Sequence, residues 1–253
     1  MKTKIYIDND QYIAGITLKD PLQPELNNMA LHVCEQPLDV IENRIKLAAS
    51  LNCVIQDFVC ANQTHSANVH HVTLEDRGRG AQSTENAIPD TDALYTFEPN
   101  TLLCAFTADC VPVIFYEEKS SLTGVIHSGW QGTVKEITLK VFQHLIQDKQ
   151  INPKAIKVML GPALSQEKFE VDEDVYQKFV SLGYADDFMY YNEATNKYHI
   201  DNQQTVKKQC ELAGIPSENI TIDPTCTFES SEGFSYRQDK KSGRHLSFIL
   251  RKA

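Results

Sequence analysis

What is scarce in this sequence narrows its class. The longest wholly apolar run, Cys110 to Tyr116, contains Pro112 and falls far short of the roughly 20 residues that cross a bilayer, so no membrane span is expected. Positive charge is short as well: 24 Lys and Arg against 34 Asp and Glu leave a net charge of −10, the wrong sign for holding a phosphate backbone, and nucleic acid is not an expected partner. Glycine (11) and proline (10) are too few for a collagenous or low-complexity chain. The stretch Met1 to Asp8 runs from basic residues into a strand-like alternation without the apolar segment of a signal peptide, which predicts a cytoplasmic protein. The seven cysteines are odd in number and irregularly spaced, so thiols rather than disulfides are expected, most of them buried as small hydrophobes. None of the eight histidines forms a His-Glu-x-x-His pattern, so any metal site must be assembled from distant segments.

What is present is the hydrophobic content of a globular α/β chain. Helical spacing marks 38–51, with Pro37 just before it. Strand signals cover 54–61, 68–74 and 93–97, with a polar loop over 77–92, a lid or a mobile surface segment. Three apolar runs, 101–107, 111–116 and 122–127, predict the centre of the sheet. A helix is expected over 132–147, then a strand at 155–160, helices at 172–182 and 201–213 and strands at 220–223 and 246–250. No linker, repeat or composition shift divides the chain, which predicts one α/β domain over 1–253, a mixed sheet with helices packed on it.

Three short stretches put chemistry-bearing side chains beside strand ends and small residues: Gln63-Thr64-His65-Ser66, Thr107-Ala108-Asp109-Cys110-Val111-Pro112 and Ile126-His127-Ser128-Gly129-Trp130-Gln131-Gly132. Pro112 argues for a bulge or strand break just after the Cys110 thiol. Two imidazoles and one thiolate leave one position of a tetrahedral zinc open, the pattern of a catalytic centre. Asp109 is a candidate proton carrier or the cap of a turn; on a regular strand it would face away from Cys110.

These stretches, with Asp92-Ala93-Leu94, Leu160-Gly161-Pro162-Ala163 and Ser235-Tyr236-Arg237-Gln238-Asp239-Lys240, resemble the bacterial laccase-domain (polyphenol oxidase) family, and the likeness runs from about Asn28 to the last strand. The resemblance implies a zinc-dependent enzyme that phosphorolyses adenosine, inosine, guanosine and methylthioadenosine and deaminates adenosine. By position it implies metal ligation by His65, Cys110 and His127 and substrate contacts from Asn28, His32 and Arg237, with Tyr236 beside them. Purine nucleosides and phosphate are the implied partners; the oligomeric state is left open. Two departures stand out: Gln131 replaces a common arginine, and a common N-terminal arginine has no counterpart in Ala14 to Lys19. An amide cannot bind phosphate bidentately, so Arg237 or Lys19 is the expected substitute. Copper ranks behind zinc, because a multicopper centre needs His-x-His pairs and no two histidines here have a single residue between them. The alternatives are a copper polyphenol oxidase, a Cys110–His127 thiol hydrolase and a non-catalytic zinc- or nucleoside-binding protein.

Overall fold

A computed structural model describes residues 1–253. The chain opens with β1 (Thr3–Asp8) and β2 (Tyr12–Thr17), then α1 (Pro37–Ser50), β3 (Phe58–Cys60), β4 (Val69–His71), β5 (Ala93–Thr96), β6 (Leu102–Thr107), β7 (Val111–Glu117) and β8 (Leu122–Ser128). Helices α2 (Trp130–Val134) and α3 (Ile137–Asp148) follow, then β9 (Lys157–Leu160), β10 (Glu170–Val171), α4 (Glu173–Val180), β11 (Met189–Asn192), β12 (Lys197–Ile200), α5 (Asn202–Leu212), β13 (Ile220–Ile222) and β14 (His245–Arg251).

The α/β class and the mixed strand directions agree with the sequence; the number of sheets does not. The apolar runs divide between a five-stranded sheet, β1-β2-β14-β6-β3, and a six-stranded one, β13-β9-β7-β8-β5-β4, with a small third sheet β10-β12-β11. The period of two explains the stacking. Leu103 and Ala105 of β6 meet Ile114 of β7 and Val125 of β8 between the two large sheets. Their neighbours Leu102, Cys104 and Phe106 face the other way, onto Leu47 and Ala48 of α1. On the far side, Val113, Phe115 and Ile126 receive Val141, Phe142 and Leu145 of α3 and Val206 and Cys210 of α5. A strand covered on both faces reads as a continuous apolar run, so each run marked a strand without saying which sheet it joins.

Two further differences bear on the site. The expected helix over 132–147 is two helices, because Glu136 takes a left-handed conformation (φ 60°) between α2 and α3. The 77–92 loop does not lie free: Cys60 N–H donates to Arg79 O (2.9 Å), Ile88 N–H to Cys60 O (3.0 Å) and Asn62 N–H to Ile88 O (2.8 Å), so the loop continues the pairing along β3. No helix is long and apolar enough to cross a membrane, and all seven cysteines are free.

Candidate metal centre

Three chain segments converge where the two large sheets end. His127 sits near the end of β8, opposite Pro112 of β7. Cys110 lies in the turn between β6 and β7, where Asp109 adopts φ +83° and swings the thiol toward β8. The expected break after the thiol is thus found before it: β7 starts at Val111 and runs through Pro112, whose missing N–H falls near the strand start, a position proline tolerates. His65, also left-handed (φ +58°), comes from the loop after β3. Its position is set by Asp92, which precedes β5 and accepts hydrogen bonds from the backbone N–H groups of Thr64 (3.1 Å), His65 (3.1 Å) and Ser66 (2.7 Å) and from the Ser66 hydroxyl (2.7 Å).

The same buried carboxylate lies 2.7 Å from His127 Nδ1. That contact fixes the imidazole so that Nε2 is the nitrogen left for a ligand. The ligand atoms of His65, Cys110 and His127 all lie within 4.8 Å of one another. Cys110 Sγ is 4.0 Å from His65 Nε2, and a tetrahedral ion with ordinary Zn–N and Zn–S bonds places such atoms about 3.6 Å apart. Gly129 completes the cradle: a Cβ there would stand 2.7 Å from His65 Cδ2 and 2.9 Å from Cys110 Sγ. One soft thiolate and two imidazoles are a donor set suited to zinc, and the room left at Gly129 lets them close on an ion.

Without an ion, the electrostatics favour a Cys110 thiolate paired with a His127 imidazolium, whose Nε2 proton a metal ion would displace. Burial opposes the Cys110 thiolate, but His127 and His65 outweigh it and hold the thiol down to about 6. Burial likewise opposes the His127 cation, yet the charge of Cys110 and the bond to Asp92 carry it up to about 9. Asp92 itself, despite burial, is held down to about 2 by His127 and Ser66.

The centre forms part of the wall of a cavity of about 620 Å³. His32, Asp109, Tyr236 and Arg237 reach this cavity, as do Trp130 and Gln131. His32 is kept neutral, its pKa drawn down to about 4 by burial and by Arg244 and Arg44. Asp109 is a brace: one carboxylate oxygen accepts from the Thr227 hydroxyl (2.7 Å), the other from the Arg237 backbone N–H (2.7 Å). Ser235 to Arg237 accordingly enter a turn tied to the β6–β7 turn. Asn28 is not brought to the cavity. It is buried in the core of the loop before α1, where its amide donates to Ala30 O (3.3 Å) and Val33 O (2.6 Å) and accepts from Ala30 N–H (3.0 Å) and Arg244 N–H (2.9 Å). Lys19 lies outside the cavity as well.

Three residues that sequence reasoning passed over shape the site. Asp92 stood in a quoted stretch, but nothing in the spacing tied it to His127, behind which it is buried. Arg244 and Asn202 line the cavity. Asn202 heads α5 and donates to Ser128 O (3.3 Å), leaving its Oδ1 without a partner.

The fold and site together define an α/β protein with a histidine–cysteine–histidine centre set into a cavity between sheet ends. The chain belongs to the multi-copper polyphenol oxidoreductase laccase family, whose model matches residues 20–252. It is 36% identical to the purine nucleoside phosphorylase YlmD of Bacillus subtilis, over 96% of this chain and 89% of that protein. It is 35% identical to the purine nucleoside phosphorylase YlmD of Geobacillus stearothermophilus, over 89% and 83%. Among solved structures, the Bacillus licheniformis hypothetical protein YfiH superposes with a TM-score of 0.91 at 33% identity, covering 98% of this chain and 99% of that one. The crystal structure of YlmD from Geobacillus stearothermophilus gives 0.90 at 33%, covering 96% and 92%.

Proposed function

We propose that the chain, acting as one domain over 1–253, is a zinc-dependent purine nucleoside phosphorylase that takes adenosine, inosine, guanosine and methylthioadenosine and also deaminates adenosine. The observation that carries the reading is the cluster of His65, Cys110 and His127 ligand atoms in the wall of a cavity large enough for a nucleoside. The relatives named purine nucleoside phosphorylase support the substrate class. The seven free thiols support a cytoplasmic setting.

His65, Cys110 and His127 would hold the ion, and zinc fits this thiolate-containing set better than a copper cluster does. When bound, it supplies Lewis acidity toward an oxygen of substrate or water. In phosphorolysis, phosphate oxygen forms a bond to the anomeric carbon as the glycosidic bond to the purine breaks; the free base and the sugar 1-phosphate result, ribose 1-phosphate or, from methylthioadenosine, 5-methylthioribose 1-phosphate. The work of the protein is to hold the two reactants in line and keep bulk water from competing. Trp130 offers a flat face for a purine, and neutral His32, at the rim beside Phe106, can donate or accept with a sugar hydroxyl. Asp109 keeps the Tyr236–Arg237 turn against the β6–β7 turn, so its first role is positioning, with proton transfer to the leaving base as its second. In deamination, water replaces the exocyclic amine and ammonia leaves.

The test is chromatography of adenosine and inosine incubations with and without phosphate. Phosphate-dependent base release supports the assignment, and inosine from adenosine supports the deaminase part; absence of both from protein shown to be folded and zinc-loaded refutes it. One observation favours a second reading, since Asp92, His127 and Cys110 also form the acid–base–nucleophile order of a thiol hydrolase. That reading requires metal-free protein to be active and to lose activity when Cys110 is alkylated.

A further inference from the structure

The phosphorylase reading needs an anion site, and Gln131 stands in the cavity wall where an arginine is common. The cavity nevertheless keeps two guanidinium groups, Arg237 and Arg244, and they are the only Lys or Arg among its lining residues. Neither is neutralised by a carboxylate. Arg237 Nη1 donates to the Glu170 carbonyl (3.0 Å), and Arg244 Nη1 donates to the carbonyls of Ser242 and Gly243 (3.1 Å to the latter).

Arg244 is the better held of the two. Its N–H donates to Asn28 Oδ1 (2.9 Å), and its carbonyl accepts from Met29 N–H (3.2 Å). A Cβ on the preceding Gly243 would come within 2.9 Å of Asn28 Cβ and 2.8 Å of the Phe234 ring, so the backbone is packed into place. Its guanidinium carbon lies 5.7 Å from the centre of the Tyr236 ring. Burial works against the cation, partly offset by the charges of Cys110 and Asp109. A half-buried guanidinium, held from behind by backbone and ring and with most of its N–H groups unassigned, is pre-organised for a planar oxyanion.

From this arrangement we infer that Arg244, assisted by Arg237 in the same cavity lining, binds the phosphate co-substrate, and that Asn28 serves it as a positioning residue. The inference rests on the phosphorylase reading for its substrate, but not for its measurement. It accounts for the loss of the arginine at 131 and gives buried Asn28 a purpose that its distance from the cavity otherwise denies.

The test is calorimetric titration of inorganic phosphate into zinc-loaded wild type, Arg244→Gln and Arg244→Lys, with kinetics of inosine cleavage against phosphate concentration. In Arg244→Gln, phosphate binding should weaken and the phosphate KM rise by roughly 10- to 100-fold, the range for losing a charge-assisted hydrogen bond, with a much smaller change in the inosine KM. Arg244→Lys keeps the charge but loses the fork and should fall between, which carries the test if the glutamine variant does not fold. Unchanged phosphate binding in both variants, or no phosphate binding by wild type, overturns the inference. If wild type binds phosphate through Arg244 yet releases no base from any purine nucleoside, the anion site stands and the phosphorylase reading falls. If base release depends on phosphate and Arg244→Gln leaves the phosphate KM unchanged, the reverse holds.

Discussion

Replacing Asp92 by asparagine tests how the metal centre is held. Its Oδ1 accepts from His65 N–H and faces His127 Nδ1, while Oδ2 accepts from Thr64 N–H, Ser66 N–H and the Ser66 hydroxyl. An asparagine must turn an NH₂ group toward one of these sets of donors. Placing it at Oδ1 leaves fewer clashes, but it strips the His65 N–H of its acceptor and forces His127 Nδ1 to become an acceptor. The imidazole proton then moves to Nε2, on the side of Cys110, where a metal ion would have to displace it. The stability cost is about 1–3 kcal/mol for the unsatisfied N–H. Zinc affinity should fall by roughly 10- to 100-fold, the usual cost of losing the group that orients a metal-bound histidine. Competition with a chromophoric chelator measures the affinity, and urea unfolding with zinc removed measures the stability. An Asp92→Asn protein with wild-type zinc affinity would refute the claim that this carboxylate sets the tautomer of His127.

Two further outcomes follow from the packing and the buried histidines. Gly129 has φ −67°, which alanine adopts freely, so Gly129→Ala should fold, while its methyl group, within 3 Å of His65 and Cys110, abolishes tight zinc binding; metal analysis alongside a melting curve separates the two effects. His245 is fully buried, accepting from Phe234 N–H (2.8 Å) and lying 2.7 Å from Thr17 O, and burial draws its pKa down to about 4. It is neutral in both folded and unfolded states at pH 7; as pH falls below about 6.5 only the unfolded chain takes up the proton, so stability is lost until pH reaches about 4. The contribution over that window is roughly 3 kcal/mol. Urea titrations from pH 7 to pH 4 should therefore show the stability gap between wild type and His245→Gln narrowing as pH falls, and a constant gap would contradict the assignment.

Local signals carried much of the structure. The apolar runs became β6, β7 and β8, and α1 and α5 lie within a residue or two of their periodic stretches, with Gly214 (φ +93°) ending α5 in the left-handed position glycine favours. The partition into two sheets was not legible, because β6 pairs with β14 and β3 while the β7–β8 hairpin pairs with β9, choices made by contacts far apart in sequence. Strands β10 to β12 escaped because they are short and partly exposed, with tyrosines rather than an apolar face. The cluster of His65, Cys110 and His127 was legible because each lies in a short motif beside a strand, and folding brings their ligand atoms within 4.8 Å of one another. Asp92 and Arg244 were not: their contacts to His127 and to Asn28 are made only by folding. Asn28 was placed at the substrate by resemblance, whereas the structure buries it outside the cavity lining, with its Oδ1 accepting from Arg244 N–H.

The central claim is that His65, Cys110 and His127 hold a metal ion that the reaction needs. Elemental analysis of purified protein, paired with phosphate-dependent base release, tests it on wild type, Cys110→Ala and His127→Ala. The account predicts about one zinc per chain in wild type, as expected for a three-ligand catalytic site, and loss of both zinc and base release in each variant. Wild-type rates of base release from metal-free protein, or full zinc occupancy in the variants, would contradict it.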